Sequence, residues 1–342
     1  MAPFDLRRIA RAISAVENGG PDAEQVIRDA YRLARHVPVV GITGPPGVGK
    51  STLLDGLAVH WAERGQTVAV LAIDPSSPHT GGAVLGDRIR MDRAASHPNV
   101  FVRSLASRGE MGGLASAAHD VVMVLGALGF DRIVLETVGA GQADVSVASL
   151  ADVVILVAMP GMGDQVQAAK AGILEIADLY VVNKSDRADA LSTIAHVRAN
   201  VDLIYPGLPG RNVPHRAEAT EHANPGLRRR HGSAADAEGY WRPPVLSTCA
   251  LQGSGVSEVA AAADDFLAWL RETGRYRDRL HDRVRSQILG ATRDRLLELC
   301  VSAAKARDFN FDELIAAVAD GTLGACEASE RLIAQLVLRF PR

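Results

Sequence analysis

The sequence predicts an α/β protein in which a mainly parallel sheet is flanked by helices, with a helical segment at each end. Short apolar, β-branched segments alternate with amphipathic segments from residue 37 to residue 270. Buried strands that alternate with helices are typical of a parallel sheet covered on both faces. Outside 37–270 only helical spacing of apolar and charged residues occurs, which predicts a helical extension over 1–36 and a helical region over 271–342.

The local pattern places each element in order. The expected strands are Val37–Ile42, Thr67–Ile73, Asn99–Arg103, Arg132–Leu135, Val153–Ala158, Leu179–Val182 and Val245–Ser247, and the expected helices between them are Ser51–Arg64, Gly113–Leu128 and Gln165–Ala177. Asn18-Gly19-Gly20-Pro21 divides the N-terminal extension into two helices. The segment 205–242 is rich in Pro, His and Arg, which favours an exposed loop.

The C-terminal helical region alternates Arg, Asp and Glu with Leu, Ile and Val. A long charged amphipathic hairpin buries its apolar stripe poorly by itself. Packing against a second copy, as a dimerisation region, is therefore the favoured interpretation. Packing of these helices on the protein's own sheet is the alternative.

Composition excludes several classes of protein. The chain has 342 residues, of which 47% are hydrophobic and 23% charged, as expected for a globular protein. A net charge of −3 argues against nucleic-acid binding through bulk charge. No apolar run approaches the ~18 residues that would cross a membrane. Three scattered cysteines favour a reducing compartment, so we expect a cytoplasmic protein.

One segment has the pattern of a phosphate-binding loop. Gly44-Pro45-Pro46-Gly47-Val48-Gly49-Lys50-Ser51, followed by Thr52, matches G-x-x-x-x-G-K-[ST] between a predicted strand and a predicted helix. The glycines let backbone N–H groups surround phosphates, and the helix N-terminus adds positive potential. Lys50 is expected to bridge the β- and γ-phosphates, and Ser51 to bind Mg²⁺. The pattern predicts a nucleoside triphosphate without specifying its base.

A second segment, Asn183-Lys184-Ser185-Asp186, specifies the base as guanine. It follows a predicted strand at the carboxyl end, where ligands bind in open α/β sheets. A carboxylate only accepts hydrogen bonds, and guanine presents two adjacent N–H donors where adenine presents an acceptor. Asp186 therefore selects guanine, and adenine would cost about 1–3 kcal/mol or more. Asn183 and Lys184 are expected to brace the base and the phosphate loop. Thr248, Cys249 and Ala250 are expected to place backbone N–H groups against guanine O6.

Three carboxylates are candidates for Mg²⁺ binding and for orienting the attacking water. Asp74 and Glu136 end predicted strands, and Asp87 lies on a predicted loop. Asp74 could instead be a turn residue before Pro75. Glu136 at the end of an apolar strand has no simple structural explanation. Glycines just after Glu136, Gly139 among them, suit a segment that responds to the γ-phosphate.

Together these segments resemble a known family. The strings that carry the resemblance are GITGPPGVGKST, DPSSPHTGGAVLGDRIRM, SRGEMGG, ETVGAGQAD, PGMGDQVQAAKAGILEIAD, NKSD and WRPPVLST. They are similar to those of the MeaB/ArgK-type GTPases that accompany adenosylcobalamin-dependent acyl-CoA mutases, a family of P-loop GTPases related to metallochaperones. The similarity runs from about residue 5 to residue 335.

The resemblance implies a GTPase that binds GTP, GDP and Mg²⁺ and gates adenosylcobalamin loading, protection and reactivation of an acyl-CoA mutase, typically methylmalonyl-CoA mutase. It implies Lys50, Asp74 and Glu136 as catalytic groups and Ser51, Asp74, Asp87 and Glu136 around Mg²⁺. The implied partner-sensing residues are Gly139, Gln142, Asp164, Gln167 and Lys170. Homodimers are implied, with an adenosyltransferase as a further candidate partner.

Three alternatives remain open at this point. The segment between Asp186 and Trp241 is longer than expected for this family, and Ala143-Asp144 stands where Ser-Glu is more usual. Both departures leave room for another partner, such as a mutase acting on isobutyryl-CoA or 2-hydroxyisobutyryl-CoA. The second alternative is a metallochaperone GTPase, which would need a Cys/His metal site. The third is an ATP-dependent small-molecule kinase, which Asn183–Asp186 disfavours.

Overall fold

A computed structural model describes residues 4–33, 35–75, 91–107, 113–137, 150–161, 176–205, 240–305 and 311–339. The helices in these ranges are α1 (Leu6–Asn18), α2 (Pro21–Leu33), α3 (Lys50–Glu63), α4 (Asp92–Ser96), α5 (Gly113–Ala127), α6 (Ala190–Ile204), α7 (Val256–Glu272), α8 (Arg275–Lys305), α9 (Phe311–Ala319) and α10 (Ala325–Arg339). The strands are β1 (Val39–Thr43), β2 (Val68–Pro75), β3 (Val100–Ser107), β4 (Arg132–Thr137), β5 (Val153–Ala158), β6 (Leu179–Val182) and β7 (Val245–Ser247).

The seven strands form one parallel sheet in the order β3-β2-β4-β1-β5-β6-β7. This confirms the predicted α/β class. The four strands β1, β4, β5 and β6 are buried along their whole length, as expected for parallel strands covered on both faces. The helix expected over 165–177 and most of the predicted loop 205–242 lie outside the described residues.

Two apolar clusters cover the sheet. One contains Leu53, Leu57 and Trp61 of α3 together with Phe266 of α7. The other joins α1 and α5 to the opposite face. Because both faces are covered, the ends of the strands are the natural place for polar groups to meet a ligand.

The N-terminal extension consists of α1 and α2, divided at Gly19 and Gly20 as the sequence indicates. The Asp5 side chain caps α1 by accepting hydrogen bonds from two backbone N–H groups. Ile9, Ile13 and Val16 form the buried face of α1. Arg103 of β3 pairs with Glu17 and donates to Ser14 Oγ at 3.0 Å, so this extension is tied to the sheet by polar as well as apolar contacts.

Two titratable residues of α5 lie against Tyr31 of the extension. The Tyr31 hydroxyl donates to Asp120 Oδ1 at 3.3 Å, and the rings of Tyr31 and His119 stack with centroids 6.5 Å apart. Burial, with a smaller contribution from Arg283, lowers the pKa of His119 to about 4. Burial raises the pKa of Asp120 to about 6, against the opposing effect of the Tyr31 hydrogen bond. Burial therefore shifts the pKa values of His119 and Asp120 in opposite directions.

These pKa shifts predict opposite pH dependences that offset each other in the wild type. His119 binds fewer protons in the folded than in the unfolded protein, so its contribution to stability is lost as pH falls from 6.5 to about 4. Asp120 binds more protons when folded, so its contribution is lost as pH rises from 3.8 to about 6. The quantity compared is the free energy of unfolding of each variant minus that of the wild type. For Asp120→Asn we expect this difference to fall as the pH decreases toward 4. For His119→Gln we expect it to fall as the pH increases toward 6. Each difference should reach on the order of 2 kcal/mol.

Urea unfolding of both variants and the wild type between pH 4 and 7 measures this directly. The slope of the variant-minus-wild-type difference is the readout, because a general loss of packing shifts the whole curve without changing its slope. Two difference curves that are flat in pH, or that slope in the same direction, would contradict the assignment.

The first turns of α8 are held at the amino ends of β5 and β6 by two buried ion pairs. Arg283 pairs with Asp152 at 2.6 Å, and Arg279 pairs with Asp178 at 2.9 Å. Both aspartates also accept backbone hydrogen bonds from neighbouring strands, at 2.9 and 2.8 Å. Breaking such a pair by removing one partner leaves a buried charge uncompensated, so these contacts fix where α8 begins.

The chain divides into two compact units, residues 1–285 and 286–342. In the second unit α9 and α10 line an apolar cavity of about 480 Å³. Large apolar side chains of this unit are exposed, among them Ile288, Leu289, Leu297 and Ile315. In the described ranges, no helix combines the length and the apolar character needed to cross a membrane.

Candidate functional site

A tight loop connects β1 to α3 at the carboxyl edge of the sheet. Two of its glycines are required by close approaches of the surrounding structure. Gly44 has φ of 143°, and a Cβ there would lie 2.2 Å from the Val157 carbonyl oxygen. Gly49 has φ of 93°, and a Cβ there would lie 2.4 Å from Asn183 Nδ2. A side chain at either position would be excluded both by backbone conformation and by space.

Lys50 begins α3 with its ammonium group directed back over this loop. Its Nζ donates to the Gly44 carbonyl oxygen at 2.8 Å and to the Pro45 carbonyl oxygen at 3.1 Å. Lys50 is only 6% exposed. The structure thus places a nearly buried positive charge at the N-terminus of a helix, where the helix dipole also favours anions.

Ser51 and Glu136, both expected near Mg²⁺, are brought together. The Ser51 hydroxyl donates to Glu136 Oε1 at 2.6 Å. Glu136 is 5% exposed at the end of β4, which lies next to β1 in the sheet. The backbone of Asp74 and Pro75 continues β2 to its end, so Asp74 is not in a turn. The side chain of Asp74 lies outside the described part of the structure.

Asn183 connects three segments of the site. Its Nδ2 donates to the Val48 carbonyl oxygen at 2.9 Å. Its Oδ1 accepts from the Thr248 hydroxyl and from the Ala250 backbone N–H, both at 3.0 Å. Every polar atom of this buried amide therefore has a protein partner. These contacts fix the phosphate loop relative to the loop that follows β7.

Lys184 has a left-handed backbone, with φ of 58°. Its Nζ donates to the Gly47 carbonyl oxygen at 2.8 Å, the bracing contact expected from the sequence, and lies 3.4 Å from Met159 Sδ. Met159 follows β5 directly and was not anticipated from the sequence. The only indication in the sequence was the predicted strand Val153–Ala158, because a residue just after a parallel strand lies at the carboxyl edge of the sheet.

The backbone N–H groups of Thr248, Cys249 and Ala250 have acceptors within the protein. They donate to the Val182 carbonyl oxygen, the Ser254 carbonyl oxygen and Asn183 Oδ1 at 2.9, 3.0 and 3.0 Å. The loop after β7 uses all three groups to close on β6, on itself and on Asn183, and their contact with guanine O6 stays a prediction. Thr248 and Ala250 contact the Asn183 side chain, and the Cys249 thiol contacts Asp186.

The loop after β7 depends on a glycine that the sequence motifs did not indicate. Gly255 has φ of 77°, and a Cβ there would lie 2.3 Å from the Ser247 carbonyl oxygen. Ser254, just before it, forms a bridge with Cys249. The Gly253-Ser254-Gly255 spacing was the available signal, because paired glycines mark a turn with positive φ. This turn brings the Cys249 thiol to 3.3 Å from Asp186 Oδ1.

Several expected site residues lie outside the described residues. They are Asp87, Gly139, Gln142, Asp164, Gln167 and Lys170. Within the described ranges no group of three or more His, Cys, Asp or Glu side chains is arranged to hold a metal ion. The three cysteines lie in separate elements: Cys249 after β7, Cys300 in α8 and Cys326 in α10.

The arrangement places the predicted phosphate loop and the predicted base-binding segment at one edge of a parallel sheet. Gly44–Lys50 form the cradle, Ser51 and Glu136 supply oxygen atoms beside it, and Asn183–Asp186 lie across from it. This sheet and this site define the class: the protein is a P-loop GTPase.

Comparison with known proteins then identifies the family. Residues 9–305 match the family model described as methylmalonyl-CoA mutase-associated GTPase MeaB. A relative from Pyrococcus abyssi described as a GTPase is 38% identical over 337 residues, which are 98% of this chain and 95% of the relative. GTPase ArgK of Escherichia coli is 34% identical over 271 residues, 78% of this chain and 74% of ArgK. The chain belongs to the MeaB family of GTPases.

The fold agrees with a solved structure. The crystal structure of a LAO/AO transport system kinase has a TM-score of 0.67 to this chain at 23% identity, and the match covers 97% of this chain and 93% of that one. This likeness supports the α/β fold.

Proposed function

We propose that this protein is a GTP-hydrolysing chaperone that gates adenosylcobalamin loading, protection and reactivation of a cobalamin-dependent acyl-CoA mutase, with methylmalonyl-CoA mutase as the first candidate. The observation that carries the proposal is the family match over residues 9–305. The geometry of the phosphate loop and of Asn183–Asp186 supports the nucleotide chemistry that such a role requires.

Lys50, Ser51 and Glu136 are the proposed groups for the triphosphate and Mg²⁺. The Lys50 ammonium lies within the loop and would offset negative charge on the β- and γ-phosphates. A hydroxyl and a carboxylate 2.6 Å apart fit Mg²⁺, which prefers oxygen ligands. When bound, Mg²⁺ would neutralise charge on the phosphates. Glu136 can also accept a hydrogen bond from the attacking water and so orient it.

The remaining residues of the proposed site follow from the sequence motifs and from the family resemblance. Gly44–Thr52 would surround the phosphates, with Asp74 and Asp87 as further carboxylates near Mg²⁺ and water. Asn183, Lys184 and Asp186 would hold guanine, with Asp186 accepting from its two N–H donors. Gly139, Gln142, Asp164, Gln167 and Lys170 are the proposed partner-sensing residues.

Steady-state GTP hydrolysis with an increasing concentration of the co-encoded acyl-CoA mutase tests the proposal. We expect slow turnover alone and a stimulation that saturates with mutase. The matched control is the same titration with the Lys50→Ala variant. Hydrolysis that remains in this control comes from the mutase preparation and is subtracted. Turnover that no acyl-CoA mutase changes would contradict the chaperone role while leaving the GTPase intact.

This titration and a metal-binding measurement separate the other candidate functions. Stimulation by an isobutyryl-CoA or 2-hydroxyisobutyryl-CoA mutase alone would change the partner within the same role. Tight Ni²⁺ or Zn²⁺ binding in equilibrium dialysis would instead favour a metallochaperone. An adenosyltransferase is a further proposed partner, to be added to the same assay.

A homodimer is part of the proposal. It is supported by the exposed apolar side chains of Ile288, Leu289, Leu297 and Ile315 and by the apolar cavity between α9 and α10. Apolar side chains exposed on these helices are the kind of surface that a second copy of the chain would cover. Light scattering on the protein used for the titration measures its mass in solution, and a monomer would contradict this part.

A further inference from the structure

We propose that Arg279 and Arg283 couple the bound nucleotide to the first turns of α8, because they hold the points where two candidate switch segments return to the sheet. These segments, 138–149 and 162–175, carry the proposed partner-sensing residues and lie outside the described residues. The inference rests on the proposed function, in which they respond to GTP and to a partner. Arg283 holds the first return point, and Arg279 holds the second.

The first return point directly follows the segment 138–149. Arg283 donates to the Leu150 carbonyl oxygen at 2.9 Å and pairs with the Asp152 carboxylate at 2.6 Å. Leu150 is the residue after the segment, and Asp152 comes just before β5. The second oxygen of Asp152 accepts from the Val39 N–H at 2.9 Å. Arg283 is therefore bound to a carboxylate that also joins β5 to β1.

The second return point follows the segment 162–175. Arg279 donates to both oxygens of the Asp178 carboxylate, at 2.9 and 3.2 Å, and also to the Asp152 carbonyl oxygen. Asp178 is buried just before β6 and accepts from the Val154 N–H at 2.8 Å. A single guanidinium therefore contacts both return points.

Three strands connect this amino edge of the sheet to the nucleotide site. β1 leads into the phosphate loop, β5 packs the Val157 carbonyl oxygen against Gly44 of that loop, and β6 ends directly before Asn183. A six-residue strand such as β5 is about 20 Å long. Arg279 and Arg283 are therefore too far from the nucleotide to touch it, and their effect on it passes through the strands and the two segments.

Burial of both ion pairs makes α8 follow the aspartates. The four side chains are between 0 and 10% exposed. Separating a buried pair leaves an uncompensated charge, which is strongly destabilising. A displacement of Asp152 or Asp178 is therefore accompanied by its arginine, and the first turns of α8 move with it. Arg279 is also held from α7, since its guanidinium lies over the Phe266 ring at 4.7 Å from the centroid.

Hydrogen exchange of the backbone amides of residues 275–285 tests this coupling. The full chain is measured when saturated with GDP and when saturated with a non-hydrolysable GTP analogue. We expect the exchange rates in the two states to differ by about fivefold or more, the lower end of the usual coupling between two sites. Arg279→Gln and Arg283→Gln should each bring this ratio of rates close to one. Arginines that only anchor α8 would give equal rates in the two states.

Nucleotide affinity gives a second readout in the same proteins. Because coupling is reciprocal, loosening α8 must change the relative affinity for the two nucleotides. We expect the ratio of the dissociation constants of GDP and the analogue to change in the glutamine variants by the factor seen in hydrogen exchange. A purely structural defect would change both constants equally and leave their ratio intact.

Arg132→Gln is the matched control. Arg132 is another buried arginine at the amino edge of the sheet, and it pairs with Asp264 of α7 at 2.6 Å. Its other contacts are with Gln66 and with the Trp61 ring. This variant should retain the nucleotide-dependent difference in exchange and the wild-type ratio of dissociation constants. Arg279→Lys keeps the charge but loses the two-pronged contact, so it should give an intermediate ratio and serves as a milder variant.

Equal exchange rates of residues 275–285 with GDP and with the analogue in the wild type would overturn the proposal, whether or not any variant folds. So would glutamine variants that keep the wild-type difference, or an Arg132→Gln protein that loses it to the same extent. A wild type that binds neither nucleotide would instead contradict the proposed nucleotide site itself.

Discussion

Lys50→Ala should reduce GTP turnover by about 10²–10³-fold, the range for removing one preorganised donor from a developing negative charge. In the structure Lys50 Nζ is nearly buried and directed over the phosphate loop by two carbonyl oxygens. Alanine removes the charge and leaves the loop glycines in place. The measurement is the turnover number at saturating GTP, with thermal unfolding to confirm that the variant is folded.

Two further variants make this result specific. Lys50→Arg retains the charge, but a planar guanidinium does not reproduce a compact ammonium that contacts two carbonyl oxygens, so turnover should remain low. Arg64→Ala removes an exposed positive charge just beyond the other end of α3 and should leave turnover unchanged. A Lys50→Ala enzyme within about threefold of wild type would show that another group carries the phosphate charge.

Asp186→Asn should transfer the base preference from guanine to xanthine. An amide offers one acceptor and two donors, so its N–H₂ would face the 2-amino group of guanine, donor against donor. Xanthine has a carbonyl at that position and pairs with the amide. We expect the affinity for GDP to fall by about 5–150-fold, which corresponds to 1–3 kcal/mol, and the affinity for XDP to rise.

Competition between GDP, XDP and ADP for a fluorescent analogue measures this change. Asp189→Asn is the matched control, because Asp189 is an exposed carboxylate three residues further along the same loop. Its base preference should equal that of wild type. An Asp186→Asn protein that still prefers GDP to XDP would place the guanine pocket elsewhere in the structure.

The elements that sequence patterns predicted well are those fixed by short-range physics. Continuous apolar segments such as Val153–Ala158 and Leu179–Val182 are strands within one or two residues of the prediction. Their burial on both faces follows from hydrophobicity alone. The phosphate loop is a local backbone conformation, so its glycines and its lysine could be located from spacing.

Contacts between distant segments could not be predicted in the same way. The Arg279–Asp178 pair joins residues 101 positions apart, and Cys249 and Asp186 are 63 positions apart. Which atoms meet depends on strand order and on the turn at Gly255. The same turn sets the acceptors of the Thr248–Ala250 N–H groups, which are the carbonyl oxygens of Val182 and Ser254 and the Asn183 side chain.

The sequence by itself determined the α/β class and the phosphate loop, because each of these depends on residue type and short spacing, and it predicts Asn183–Asp186 as the residues that read guanine. The tertiary structure decided how those residues are held. It placed Ser51 beside Glu136, locked Asn183 between two loops, and set the Cys249 thiol against Asp186. Such contacts are made only when strands far apart in the chain lie side by side, and their geometry follows from the packing of the whole sheet.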